Sequence, residues 1–71
     1  MKISASNKLR GKITEIIPGS CTAKVKLDLG YGNIIFAIVI IDSIKYLKLK
    51  VGDVACAMLN PTQVVLGVEE D

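Results

Sequence analysis

The sequence predicts an all-β domain: five short strands in an OB-like, partly open Greek-key barrel with one short helix. Three observations predict it. Apolar segments of strand length are punctuated by Gly, Pro and Asn along the whole chain. Only one segment, 42–49, carries a helical spacing. Short strands with a single helix before the fourth match the layout of a small five-stranded barrel. The run Ile34–Ile41 adds a fourth point, because its eight consecutive residues are all apolar. A strand with one wet face alternates, so an unbroken apolar strand must be covered on both faces. A 71-residue chain has little core to cover it with. A tight homo-oligomer is therefore expected.

The elements follow in order. Lys12 to Ile17 reads as the first strand, and Pro18-Gly19-Ser20 as the turn after it. Thr22 to Leu29 alternates cleanly, with Ala23, Val25, Leu27 and Leu29 on one face. Gly30-Tyr31-Gly32-Asn33 supplies the backbone freedom for a hairpin into the apolar strand 34–41. Asp42 can cap a short helix whose Ile44 and Leu47 share a face at i, i+3. Lys50-Val51-Gly52-Asp53 turns into a fourth strand over 54–59, which is again apolar at every position. Asn60-Pro61-Thr62-Gln63 breaks it, since Pro61 has no ladder donor, and Val64 to Val68 reads as the fifth strand. One domain, 1–71, is expected, with no linker.

Composition excludes several classes. The hydrophobic fraction is 51% and the mean hydropathy +0.48, yet no apolar run approaches the roughly 20 residues that cross a bilayer. Met1-Lys2-Ile3-Ser4-Ala5-Ser6-Asn7 turns polar at once and lacks a signal-peptide pattern, so a cytoplasmic protein without membrane contact is expected. There is no histidine and no CxxC, which removes zinc-type chemistry. Cys21 and Cys56 sit in apolar surroundings and read as buried inert thiols, and a disulfide between them has no support. The net charge of +2 suits small anions without requiring a polyanion. Glu69-Glu70-Asp71 reads as a solvated tail.

Ser4-Ala5-Ser6-Asn7-Lys8-Leu9-Arg10-Gly11-Lys12-Ile13 resembles the SARNxLxGxV opening of the molbindins, small molybdate- and tungstate-binding proteins whose module is also called the Mop or TOBE domain. The similarity continues in order and spacing through 30–34, 41–49, Val51-Gly52-Asp53 and 57–64, so it spans essentially the whole chain. The resemblance implies oligomerisation through strand exchange, three dimers joined into a hexamer, and oxyanion pockets between subunits. It also implies a role in molybdate or tungstate binding and intracellular storage or homeostasis, with no cofactor.

The resemblance places the pocket on Ser4, Ala5, Ser6, Ser43, Asn60 and Thr62. Ser4 and Ser43 match the family. The family has an arginine where this chain has Ser6, a hydroxyl residue at Ile40, a lysine at Asn60 and a small hydroxyl residue at Pro61. A tetrahedral dianion has only acceptor oxygens and needs donors, usually with a cation among them. Losing two charged hydrogen bonds removes roughly 3 to 6 kcal/mol, or about two to four decades of affinity. Lys2, Lys8 or Lys12 either restores charge from nearby or is simply solvated. A second, backbone-lined kind of pocket, known in the family, is also compatible with the sequence.

Three readings result. The first is retained but weakened or altered oxyanion binding through neutral donors. The second is an oligomeric scaffold that has lost the interfacial site or binds another ligand. The third is single-stranded nucleic-acid binding, which needs a basic groove with aromatic platforms. Phe36, Tyr31 and Tyr46 are the only aromatics and are scattered, with Phe36 expected in the core. Enzyme function is not expected: no serine or cysteine has a visible base, and Glu15, Asp28, Asp42 and Asp53 are dispersed over strands and turns. Ser4, Ser6 and Asn7 also have a plain reading as local hydrogen-bonders before the first strand.

Overall fold

A computed structural model of the chain describes residues 7–69. It contains four antiparallel strands, β1 (Asn7–Pro18), β2 (Thr22–Gly30), β3 (Asn33–Ile40) and β4 (Val54–Leu59), in the order β3-β2-β1-β4. A seven-residue helix, α1 (Ile41–Leu47), joins β3 to β4, and a 3₁₀ turn, Pro61–Gln63, follows β4. The sheet curls into a half-barrel because β1 is used twice. Residues Asn7 to Lys12 pair with β4, Lys12 to Pro18 pair with β2, and a bulge between Ile13 and Glu15 redirects the strand.

β1 starts five residues earlier than the expected Lys12, since Asn7 to Gly11 are already paired with Leu59 to Ala55. Gly11 is required inside this bend. A Cβ there would lie 2.7 Å from the Asp28 carbonyl oxygen and 2.9 Å from the side chains of Leu27 and Leu29. Two bonds fasten the middle of β1 to the turn before β4: Ile13 N donates to Asp53 O, and Gly52 N to Ile13 O, both at 2.8 Å. Asp53 also closes its own turn, accepting from Lys50 N at 3.1 Å.

The β2–β3 hairpin forms as expected. Gly30 pairs with Asn33 around Tyr31-Gly32, both of which have positive φ (55° and 79°), the backbone of a two-residue type I′ turn. Asp28 holds it by accepting from Gly30 N at 2.8 Å.

Three expectations are corrected at this level. The fifth strand is not formed: Val64 to Val68 has no strand partner, and Val65, Leu66 and Val68 are 90–91% exposed. An isolated segment has no ladder to join unless a free sheet edge lies alongside it. Asp42 does not cap α1. Ile40 occupies the cap position without a side-chain bond, and Asp42 falls in the first turn, where a carboxylate favours the helix dipole. Cys21 is exposed rather than buried, since it falls in the bend between β1 and β2 and not within a strand, while Cys56 is half-buried; both thiols are free.

The core is small. Ile13, Ala23, Val25 and Leu27 are buried, and Ile16, Leu29, Ile35, Val39, Ile44, Leu49, Ala55 and Ala57 pack around them half-covered. The alternation predicted for β2 is thus realised on its inner side. No described helix is long and apolar enough to cross a membrane.

Candidate functional site

Two open features flank the sheet. The first is the concave side of the half-barrel, an apolar trough of about 760 Å³ lined by Val25, Leu27, Ile35, Val39, Leu49 and Ala57 among others. It lies between β3 and β4, the outermost strands of the sheet. The second is a cleft of about 390 Å³ where β1 begins and β4 ends, lined by Asn7, Lys8, Leu9, Leu59 and Val64.

The residues beside that cleft carry the polar chemistry. Asn60 leaves β4 in an extended conformation and caps the 3₁₀ turn. Its Oδ1 accepts from Thr62 N at 3.1 Å and from Thr62 Oγ1 at 2.9 Å. The backbone amide can only donate, so these bonds fix which way the Asn60 carboxamide points. Both Nδ2 hydrogens then remain for an acceptor outside the turn. Pro61 occupies the first position of the turn, where a missing N–H costs nothing. The Asn-Pro-Thr order was legible as a chain break, but the locking of Asn60 by Thr62 was not foreseen. Thr62 spends its hydroxyl proton on Asn60, so it acts as a positioning group more than as a donor to a ligand.

Ser43 is placed elsewhere. It sits half-buried on α1, which begins where β3 ends, and Ile41 N donates to Cys21 O at 2.9 Å at that junction. Ile40 pairs with Thr22 beside the end of β1, whereas Leu59 pairs with Asn7 at its start. Ser43 and the Asn60–Thr62 turn therefore follow from opposite ends of the longest strand. Ser4, Ala5 and Ser6 lie outside the described residues, directly before Asn7.

Ile40, at the position where a hydroxyl was noted as missing, is 60% exposed and presents an alkyl surface. Phe36 is not in the core. It is 53% exposed on the outer side of β3, with the Lys24 Nζ 4.4 Å from its ring centroid. Tyr31 and Tyr46 project from the hairpin tip and from α1, 105% and 85% exposed, so the three aromatics form no common platform. No cluster of three or more His, Cys, Asp or Glu suited to a metal ion occurs among the described residues. An amide fixed by its own turn, a neighbouring lysine and an open cleft suit noncovalent capture of an acceptor-rich ligand.

Comparison with known proteins agrees. The family model for the TOBE domain matches residues 3–66. A probable molybdenum-pterin-binding protein of Haemophilus influenzae is 45% identical over 69 residues, covering 97% of this chain and all of that protein. Molybdenum-pterin-binding protein 1 of Clostridium pasteurianum is 38% identical over 66 residues, with 93% and 97% covered. The solved structure of a molybdate-binding protein from Sporomusa ovata superimposes with a TM-score of 0.88 at 35% identity, covering 96% of this chain and 100% of that one. End-to-end agreement in sequence and fold leads to one conclusion: the chain belongs to the TOBE-domain family, within its Mop or molbindin group of small binding proteins.

Proposed function

We propose that this protein binds molybdate or tungstate and serves as an intracellular, cytoplasmic store or buffer for it, acting as a homo-oligomer of three strand-exchanged dimers. The observation that carries the reading is likeness over nearly the whole chain to proteins described as molybdenum-pterin- or molybdate-binding. The oxyanion site draws on Ser4, Ala5, Ser6, Ser43, Asn60 and Thr62. Because Ser43 and Asn60 derive from opposite ends of β1, the site is completed by residues of more than one copy. Val64–Val68 is the exchanged strand: its apolar side chains match the apolar trough, and it joins no strand ladder within its own chain. Seated in the trough of a second copy, it supplies the missing fifth strand between β3 and β4.

Binding is weaker than a pocket with two cations provides, because Ser6 and Asn60 are both neutral, and Ile40 adds an alkyl group in place of a hydroxyl. That change also supports a second reading, an assembly kept for its scaffold after loss of the oxyanion site. Equilibrium dialysis against molybdate at low ionic strength, with molybdenum per chain read by elemental analysis and sulfate as competitor, separates the two. Saturable, sub-stoichiometric uptake that resists sulfate is the result expected. No uptake up to millimolar anion would leave only the scaffold.

A further inference from the structure

We propose that Lys8 supplies the positive charge for an oxyanion held at the Asn60–Thr62 turn, an assignment that rests on the oxyanion-binding reading above. Lys8 is exposed and pairs across the sheet with Met58. Asn60 lies two residues further along, just past β4 and still extended, at the place of a diagonal neighbour about 7–8 Å away, which a lysine side chain spans. Lys8 lines the cleft together with Leu59 and Val64, the two residues that bracket the turn in the sequence.

The other strand cations have different surroundings. Lys12 lies opposite Asp28, and Lys26 opposite Glu15. Lys24 sits over the Phe36 ring. Arg10 pairs with Cys56, two residues further from Asn60 than Met58 is. Lys8 is thus the described strand cation that combines reach to the turn with a neutral cross-strand partner. An ammonium there complements the Nδ2 hydrogens of Asn60 as a donor set for an oxygen-rich dianion: the amide gives directional hydrogen bonds and the lysine gives charge. Two donors on adjacent strands also leave a tetrahedral anion open on its remaining side to a second copy.

The test is molybdate dialysis of the full chain as Lys8→Gln, Lys8→Arg and Lys12→Gln, each checked by light scattering for an unchanged mass. Lys8→Gln is expected to weaken binding by about tenfold or more and to flatten its dependence on salt. Lys8→Arg keeps most of the affinity, and Lys12→Gln leaves it unchanged. If the unsubstituted protein binds molybdate and Lys8→Gln behaves like Lys12→Gln, the assignment to Lys8 is overturned while the oxyanion reading stands. If the unsubstituted protein takes up no molybdate, both fall together.

Discussion

β2 and β3 are neighbours of similar length in one sheet, and they end in opposite states. On β2 the inward side chains Ala23, Val25 and Leu27 are 2–5% exposed, while the outward positions are Thr22, Lys24, Lys26 and Asp28, which belong in water. On β3 the inward Ile35 and Val39 are only half-covered, and the outward Ile34, Phe36, Ile38 and Ile40 are 43–68% exposed. The difference shows that the chain finishes β2 by itself and leaves β3 unfinished on both sides. A strand patterned for two dry faces but exposed on its outer one is the observation behind the proposed oligomer.

The contrast can be broken at its strong side first. Leu27→Ala removes buried volume from the one completed region and is expected to cost about 2–5 kcal/mol, read as a lower midpoint in urea unfolding. A loss below about 1 kcal/mol would mean that β2 is not the centre of the core. Gly11→Ala is the next largest. Its new methyl meets the Asp28 carbonyl oxygen, which is backbone and cannot swing away, so a loss of about 1–3 kcal/mol is expected in the same assay.

The unfinished side responds differently. In the proposed strand-exchanged assembly, Leu66→Asp puts a charge where about 1.5–3 kcal/mol of apolar burial is expected per subunit. The scattering mass should fall while the circular dichroism of the sheet persists, because Leu66 touches little within its own chain. An unchanged mass would remove 64–68 from the interface. The smallest effect lies at the hairpin. Tyr31 sits at φ 55° with its ring wholly in solvent. Tyr31→Asn suits the left-handed region and should raise stability by about 0.5 kcal/mol through the turn alone, without altering mass or anion uptake.

Much of this was legible in the sequence because short-range chemistry decides it. The β2 alternation, the Gly30–Asn33 hairpin, the apolar β3 and β4, and the break at Asn60-Pro61 all appear where the residue pattern put them. Asp42 falls in the first turn instead of at the expected cap, because a single acid near a helix start looks alike in both places. The first strand was read too short because Asn7 to Gly11 has no alternation of its own; its pairing comes from β4, nearly fifty residues away. Val64 to Val68 reads as a strand from its apolar run alone, but it pairs with neither outer edge of the sheet, and a strand needs a ladder partner as well as apolar residues. Of the candidate site, Asn60 and Thr62 are brought together and Ser43 is held apart, which no reading of local spacing could have separated. Lys8 was visible only as one of several nearby cations until the β1–β4 register placed it beside the turn.

The central claim is that this chain becomes complete, in core and in site, only with other copies of itself. Static light scattering across a dilution series tests it most directly. A mass near six times the 7.6 kDa chain, held to low micromolar concentration, is the result predicted. A stable, soluble monomer at those concentrations would contradict it, since the exposed faces of β3 and the free 64–68 segment would then need no partner.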